Sequence, residues 1–186
     1  RKTDGSYAGG YATFRTEAGE KILVKMAHGT SYAQAEQRLA DEIPGWDFER
    51  AQTAARDEWA ALLGRVRVSG GTEKQRKLFY STLFQSFASP RLIAAKGEKF
   101  ADSNGEVKTA THDRYGPVPF WDTGRNQIVL LELMEPEVVR NIMASELDMA
   151  RETGYMNTSF HGDNAVFLYL GAWKRGIPFD YAAAYE

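Results

Sequence analysis

The amino-acid sequence predicts an α+β chain in which a short β-rich part is followed by a mostly helical one. Residues 7–30 carry β-type signals, whereas amphipathic helical patterns dominate from Thr72 onward. Strands that precede an array of helices favour two domains over a single mixed sheet. We therefore predict one domain at residues 1–31, a linker of helices and a short strand at 32–71, and a second domain at 72–186.

The composition of the 186 residues indicates a folded chain and excludes several classes of partner. With 43% hydrophobic and 12% aromatic residues, the chain has enough apolar surface for a core. The net charge is −2 and no basic block occurs, so we expect no nucleic-acid partner. No apolar run approaches the roughly 20 residues that cross a bilayer, so we expect no membrane span. The chain begins at Arg1 and ends at Glu186 within a helical pattern, so we expect a piece of a longer protein.

The N-terminal part alternates apolar and polar residues on either side of a turn at residues 17–20. This pattern favours a hairpin or the last strands of a β-sandwich. Ser31 and Gln34 then have the spacing of a capping box, which predicts a helix over residues 32–41.

The second linker helix is predicted to begin after Asp47 and to end at Gly64, because these residues suit an N-cap and a helix stop. Residues 65–68 alternate and predict a short strand. Thr72 and Gln75 form a further capping box, which starts the next helix. The apolar face of that helix is so broad that we expect it to be buried on more than one side.

Residues 88–115 are predicted to form an irregular insertion that contains a hairpin with its turn at 102–105. Four further helices are predicted, at about 122–134, about 136–152, about 163–175 and from Asp180 onward. Gly154 and Gly176 stand where helix stops belong. The short connections favour antiparallel neighbours.

The segment 117–125, Pro-Val-Pro-Phe-Trp-Asp-Thr-Gly-Arg, is the strongest candidate for a functional site. It holds the indole of Trp121, the carboxylate of Asp122 and the guanidinium of Arg125 within five residues. An aromatic ring stacks on the C–H face of a sugar, and charged groups bind its hydroxyls through strong hydrogen bonds. The segment therefore predicts sugar binding. Asp122 also suits a helix N-cap, and this purely structural alternative stays open.

A second candidate is the polar loop at residues 157–165, which runs into a predicted helix. The N-terminus of a helix concentrates free N–H groups and positive potential. Asp163 is either a ligand-binding group or an N-cap there, and His161 either transfers protons or has no such role. The three histidines of the chain lack the spacing of zinc ligands, and we predict no metal site within this span.

Several segments match a known family in the right order. They lie at residues 42–48, 59, 62–65, 79–84, 90–92, 121–123 and 162–165. On these residues the sequence resembles glycoside hydrolase family 92, the calcium-dependent exo-α-mannosidases, which are largely bacterial. The resemblance implies an N-terminal β-sandwich, a helical linker and an (α/α)6 toroid, with the active site between sandwich and toroid. This chain would hold the end of the sandwich, the linker and the first helices of the toroid.

The same resemblance implies what the whole protein does. The family's enzymes remove terminal α-linked mannose from glycans by inverting hydrolysis, calcium helps to hold the terminal sugar, and a secreted or periplasmic location follows. Trp121, Asp122 and Arg125 match a segment that helps to bind that sugar. Asp163 matches the Asp of a Gly-Asp-His-Ala segment, and Asn164 stands where that segment has His.

One position departs from the family pattern in a way that bears on catalysis. Where a general-acid glutamate is usual, this chain has Met156, which cannot donate a proton. His161 is the nearest titratable substitute; alternatively, the substrate has a leaving group that needs no acid, such as a phosphate. The base carboxylates and most calcium ligands are expected beyond Glu186, so the fragment alone is expected to be inactive. Two alternatives stay open: a catalytically silent glycan-binding homologue, and an (α/α)6 glycosidase of different sugar specificity.

Overall fold

The computed structural model describes residues 10–156 and 164–185, which are rich in helix and contain few, short strands. The helices of these residues are α1 (Tyr32–Glu42), α2 (Phe48–Leu63), α3 (Glu73–Phe87), α4 (Phe120–Thr123), α5 (Gln127–Met134), α6 (Pro136–Thr153), α7 (Val166–Lys174) and α8 (Tyr181–Tyr185). The strands are β1 (Leu92–Ala94), β2 (Lys99–Ala101), β3 (Val107–Thr109) and β4 (Arg114–Tyr115). No helix in the described ranges is both long and apolar enough to cross a membrane. The complete β-sandwich and toroid stay predictions.

The two linker helices begin and end close to where the sequence predicts. α1 begins after Ser31, whose hydroxyl accepts a hydrogen bond from the backbone N of Gln34 at 3.2 Å. The side chain of Gln34 turns to Thr30 rather than to the backbone of Ser31, so half of the predicted capping box forms. α2 begins after Asp47, whose carboxylate accepts a backbone hydrogen bond in the first turn, and it ends at Gly64.

α3 begins with the complete capping box predicted at Thr72. Its predicted burial on several sides is wrong, because Leu83 is its one buried residue and Leu78 is 64% exposed. α3 packs on α2, where the ring centroids of Trp59 and Phe84 are 4.3 Å apart. One packing partner covers one side of a helix, and the apolar face of α3 is wider than that side.

Two predicted β segments form no strand. Over the described residues 10–30 the chain forms the predicted turn, in which the backbone N of Glu20 donates to the carbonyl of Glu17 at 3.1 Å, but no strand. Residues 65–68 likewise contain none. A strand needs a partner with which to share backbone hydrogen bonds, and neither segment has one among the described residues. The strand prediction therefore fails for both segments.

The predicted hairpin is present in the insertion between α3 and α4. β2 and β3 pair antiparallel, with the turn at residues 102–105. The carboxylate of Asp102 accepts hydrogen bonds from the backbone N of Asn104 at 2.9 Å and of Glu106 at 2.8 Å, which fixes the turn. β1 pairs with β4 and closes the insertion.

The main core lies between α5, α6 and α7. Its buried side chains include Ile128 and Leu131 of α5, Val139, Ile142 and Met143 of α6, and Leu168 and Ala172 of α7. Val118 and Phe120, which precede and begin α4, belong to the same core. The predicted helix over 122–134 is in fact two helices, because the chain leaves the helical path between Thr123 and Gln127.

The boundaries of α6, the end of α7 and the start of α8 confirm the predictions, whereas α7 begins at Val166 rather than at about residue 163. α6 has Pro136 in its first turn and is followed by Gly154, whose φ of 82° is a left-handed conformation that glycine adopts without strain. Gly176, with φ of 73°, follows the end of α7 in the same way. The carboxylate of Asp180 accepts from the backbone N of Ala183 at 3.0 Å, which starts α8 as predicted.

Polar contacts hold the insertion on α6. Arg114 of β4 is buried, and its Nη2 donates to both carboxylate oxygens of Glu152, at 3.2 and 2.9 Å. Its Nη1 lies 3.3 Å from Asp148. The backbone N of Tyr115 donates to the hydroxyl of Ser145 at 3.0 Å. α6 therefore sets the path of the chain where it leaves β4.

Candidate functional site

The segment that carries the strongest candidate site is anchored in the core just before the candidate residues. Residues 117–119 contain two prolines, which fix φ and stiffen the approach to α4. Val118 and Phe120 on either side of Pro119 are buried, and Phe120 is wholly inaccessible to solvent. The residues that follow it are consequently presented from a fixed base.

The three predicted sugar-binding residues lie on the surface. Trp121 is 50% exposed, and Asp122 and Arg125 are exposed. An indole that is open on part of its surface can stack on a sugar ring, and exposed charged groups beside it can bind hydroxyls. The structure thus leaves these groups accessible to a ligand.

Asp122 is not an N-cap, so the structural alternative for this residue is wrong. The N-cap of α4 is Pro119, and no side-chain hydrogen bond caps the helix. Asp122 lies inside α4, where its backbone N donates to the carbonyl of Pro119 at 3.0 Å. Its exposed carboxylate is therefore not used by the helix.

Arg125 does not pair with Asp122, although the two residues are one turn apart and both are described. The guanidinium carbon of Arg125 lies 5.8 Å from the ring centroid of Phe167 in α7, a cation–π distance. The contact places Arg125 against the N-terminal turn of α7.

A glycine allows the close contact between α4 and α7. A Cβ atom at Gly124 would lie 2.8 Å from the carbonyl oxygen of Phe120 and 3.1 Å from Cδ2 of Phe167. Such distances exclude a side chain at this position unless the backbone moves. The contact brings residues 121–125 beside residues 164–167, where the second candidate segment enters α7.

The second candidate segment is described only in part. Asp163 and His161 lie outside the described residues. Asn164 is buried at the start of the described part, and its carbonyl accepts from the backbone N of Phe167 at 3.2 Å. Met156, which the family resemblance aligns with a general-acid position, is partly buried and packs against the main core. The side chain of Met156 thus has an apolar packing role.

A buried glutamate that sequence analysis missed lies beneath the candidate segment. Glu146 of α6 is fully buried, and its Oε1 accepts from the backbone N of Val118 at 2.9 Å. Tyr169 of α7 is close by: burial first, and then the negative charge of Glu146, raises the pKa of its phenol. Glu146 therefore sits where α6, α7 and the segment 117–119 meet.

A second buried glutamate lies farther along the contact between α5 and α7. The side chain of Glu132 has no exposed surface, and Nη1 of Arg175 lies 2.7 Å from its Oε2 without hydrogen-bond geometry. Burial raises the pKa of Glu132, and the charge of Arg175 opposes that shift in part. A Cβ atom at Gly171 would lie 2.3 Å from Oε1, so only glycine leaves room for the carboxylate.

A sequence signal for both glutamates exists. Each follows a core isoleucine by four residues on the same helix: Glu132 follows Ile128, and Glu146 follows Ile142. Residues four apart lie on one face of a helix. An acid at that spacing on an apolar face is a buried carboxylate, which needs a partner.

A Ser–His–Asp cluster between the insertion and α6 is not a nucleophilic site. Nε2 of His112 lies 3.3 Å from the hydroxyl of Ser145, but the carboxylate of Asp148 lies on the same nitrogen, at 3.8 Å. A catalytic triad needs the acid on the opposite nitrogen. The hydroxyl of Ser145 also donates to the carbonyl of Asn141 at 2.7 Å. The cluster therefore ties the insertion to α6.

No group of three or more His, Asp or Glu side chains in residues 10–156 and 164–185 converges to hold a metal ion. The described donor set does not fit calcium, which takes six to eight oxygen ligands. No catalytic step is therefore assigned to calcium on these residues.

Comparison with known proteins identifies the family to which the chain is similar. Residues 34–186 match the model of the glycosyl hydrolase family 92 catalytic domain. The chain is 30% identical to a family 92 inverting mannosidase from Bacteroides thetaiotaomicron, with a TM-score of 0.69 over 83% of this chain and 22% of that one. No protein of curated function matches it.

A second solved structure supports the fold. A family 92 α-mannosidase, also from Bacteroides thetaiotaomicron, has a TM-score of 0.75 over 84% of this chain and 23% of that one, at 20% identity. A structure of that α-mannosidase also exists in complex with mannoimidazole. The chain thus spans less than a quarter of the length of these two mannosidases.

Proposed function

The chain belongs to glycosyl hydrolase family 92, and on this basis we propose that the whole protein is a glycoside hydrolase that removes terminal α-linked mannose from glycans. We propose an inverting mechanism, assisted by calcium, in a secreted or periplasmic protein. The observation that carries the proposal is the 30% identity to an inverting mannosidase, together with a surface cluster suited to a sugar.

The geometry of the cluster supports sugar binding. Trp121 would stack on the C–H face of the terminal sugar, while Asp122 and Arg125 would bind its hydroxyls. The Asp122 carboxylate is exposed and is not used as a cap, and the fixed base at Phe120 holds the cluster in one orientation. Preorganised groups of this kind lower the entropy cost of binding.

The proposed chemistry needs two carboxyl groups as acid and base, whereas the one carboxyl group of the cluster, that of Asp122, is proposed to bind the sugar. An inverting glycosidase uses an acid and a base about 6.5–9.5 Å apart, with room for water between them. Met156, which the family resemblance aligns with the acid position, packs against the core. We therefore propose a substrate whose leaving group needs little protonation, with the base and the calcium ligands supplied by residues other than those described.

The test is a turnover assay on the full-length protein with an aryl α-mannoside, whose leaving group needs no acid. Turnover is expected to stop on chelation by EGTA and to return with added calcium. Proton NMR of the first product should show β-mannose, the anomer that inversion produces.

Other outcomes would contradict parts of the proposal. Mannose binding without turnover on aryl or phosphate leaving groups would identify a silent glycan-binding homologue. Turnover of a different sugar from a panel of aryl glycosides would overturn the mannose specificity. Turnover that is unaffected by EGTA would exclude calcium assistance, and retention of the protein in the cytoplasm on cell fractionation would overturn the proposed location.

A further inference from the structure

We infer that Glu146 is a positioning residue for sugar binding: its buried carboxylate fixes the backbone segment from which Trp121 and Asp122 project. The inference rests on the proposed function, since that function gives the position of these two residues its importance. Glu146 is fully buried in α6 and has no part in the chemistry proposed above.

Glu146 makes a buried hydrogen bond to the segment that precedes the sugar-binding residues. Two of residues 117–119 are prolines, which have no N–H, so Val118 supplies the one backbone donor of this tripeptide. That N–H donates to Oε1 of Glu146 at 2.9 Å in a fully buried setting. Leaving a buried backbone N–H without an acceptor is unfavourable, so this hydrogen bond favours the observed position of the segment.

α6 holds the segment at two points. Ser145 accepts from the backbone N of Tyr115, and the next residue of the helix, Glu146, accepts from the backbone N of Val118. The two bonds are three residues apart on the segment. Together they fix its direction as well as its position.

Backbone hydrogen bonds join Val118 to the sugar-binding residues. The backbone N of Phe120 donates to the carbonyl of Val118 at 2.9 Å, and the backbone N of Asp122 donates to the carbonyl of Pro119 at 3.0 Å. Phe120 is buried in the core between them. A displacement of Val118 is therefore passed to Trp121, three residues on.

A carboxylate at the buried position 146 is unfavourable unless it has hydrogen-bond partners. A leucine would fill a similar volume without that penalty. Beyond its bulk, Glu146 adds an acceptor that reaches Val118. Its charge is felt by Tyr169, whose raised pKa marks the low polarity of the surroundings.

Two substitutions in the full-length protein distinguish the position of the acceptor oxygen at residue 146 from the charge of the side chain. Glu146→Asp keeps the charge and withdraws the acceptor by about 1.5 Å, the length of one C–C bond. Glu146→Gln keeps an acceptor oxygen at the original reach. Val139→Ala is the matched control, because it destabilises the same buried face of α6 without contacting the segment by a hydrogen bond.

The first readout needs no sugar. The emission of Trp121 is obtained as the difference between each protein and its Trp121→Phe counterpart. We expect Glu146→Asp to shift this emission, and we expect Glu146→Gln and Val139→Ala to leave it as in the unmutated protein.

The second readout is the Kd for methyl α-mannoside, measured by calorimetry. We expect Glu146→Asp to raise the Kd by about tenfold, which corresponds to about 1.4 kcal/mol. Glu146→Gln should stay within about threefold, as expected if the acceptor and its reach are what matter. Val139→Ala should lower the Tm and leave the Kd within about twofold, as expected for a purely structural change.

Defined results would overturn the inference. These are an unchanged emission and Kd in Glu146→Asp, or a loss of affinity in Val139→Ala as large as that in Glu146→Asp. If the unmutated protein binds no mannoside, the proposed function fails and the emission of Trp121 alone decides the positioning role. If Glu146→Asp does not fold, hydrogen exchange of the Val118 amide in the unmutated protein decides: slow exchange supports the inference and rapid exchange overturns it.

Discussion

Replacing Gly171 by alanine tests the contact between α5 and α7. The new Cβ atom would lie 2.3 Å from Oε1 and 2.8 Å from Oε2 of Glu132, well inside van der Waals contact. The Glu132 side chain has no exposed surface, so its carboxylate has no solvent-filled space to enter. Either the carboxylate leaves Arg175 or the two helices move apart.

The expected loss of stability follows from opposing contributions. Breaking a buried ion pair costs about 3–5 kcal/mol. The side chain of Arg175 is 33% exposed and regains hydration when the pair is broken, so about 3 kcal/mol applies here. Alanine is favoured over glycine in a helix by about 1 kcal/mol. Gly171→Ala should therefore lower the free energy of unfolding by about 2 kcal/mol, which urea unfolding followed by circular dichroism would measure.

A second background makes the steric cause testable. In Glu132→Ala the carboxylate is absent and the space beside position 171 is open. Gly171→Ala should then stabilise the protein by up to about 1 kcal/mol, because the helix propensity remains and the clash is gone. The sign of the effect should thus reverse between the two backgrounds. An equal effect in both, within about 0.5 kcal/mol, would refute the steric explanation.

Three further predictions concern charge. Burial raises the pKa of Glu132, so above the ordinary glutamate pKa the folded protein keeps a proton that the unfolded chain has lost. Stability therefore falls as pH rises through the pKa of the folded protein. Glu132→Gln should reduce this dependence of the free energy of unfolding on pH, measured by urea titration between about pH 4 and pH 8. Asp122→Asn should weaken mannoside binding about tenfold with the Tm nearly unchanged, because the carboxylate is exposed and caps nothing; a lower Tm with unaltered binding would contradict this. Hydrogen bonds from Arg38 lower the pKa of Glu98, so their contribution to stability is present above the ordinary glutamate pKa and is lost as pH falls through the pKa of the folded protein. Arg38→Met should lower the free energy of unfolding by about 1 kcal/mol at neutral pH, and it should reduce the loss of stability at acid pH.

The features that sequence analysis predicted correctly depend on short-range contacts. The starts of α1, α2 and α3 are set by Ser31, Asp47 and Thr72, whose side chains bond the backbone three residues on. The turn at residues 102–105 is set by Asp102 in the same local way. Each such contact is visible as a spacing in the sequence.

The features that failed depend on distant partners. A strand at residues 65–68 requires another strand beside it, and the burial of Leu78 requires a second helix against α3; alternation and apolar character do not supply these partners. The break between α4 and α5 was missed for a similar reason. At this break Gly124 packs against Phe167, which is 43 residues away along the chain, and Asn126 caps the start of α5.

The candidate site rests on residue type and stays a prediction, whereas the residues that support it were not predicted. Trp121, Asp122 and Arg125 were found because their side chains suit a sugar, and the structure exposes them. Glu132 and Glu146 are buried and contact neighbouring elements, and residue type alone does not show that they are buried. The sequence indicates their burial only through their position four residues after a core isoleucine, since residues four apart lie on one face of a helix.

Two of the glycines without room for a side chain, Gly124 and Gly171, lie at the contact between α7 and the α4–α5 segment, and they explain how the candidate segment is held beside α7. Gly124 lets α4 contact Phe167 at the start of α7, and Gly171, one turn farther along α7, leaves room for the carboxylate of Glu132 from α5. Both glycines allow α7 to lie close to the segment formed by α4 and α5. Arg125 reaches Phe167 only while α7 lies close to that segment. The position of the proposed sugar-binding cluster is therefore a consequence of close packing along α7, and the buried pair of Glu132 and Arg175 belongs to the structure that maintains it.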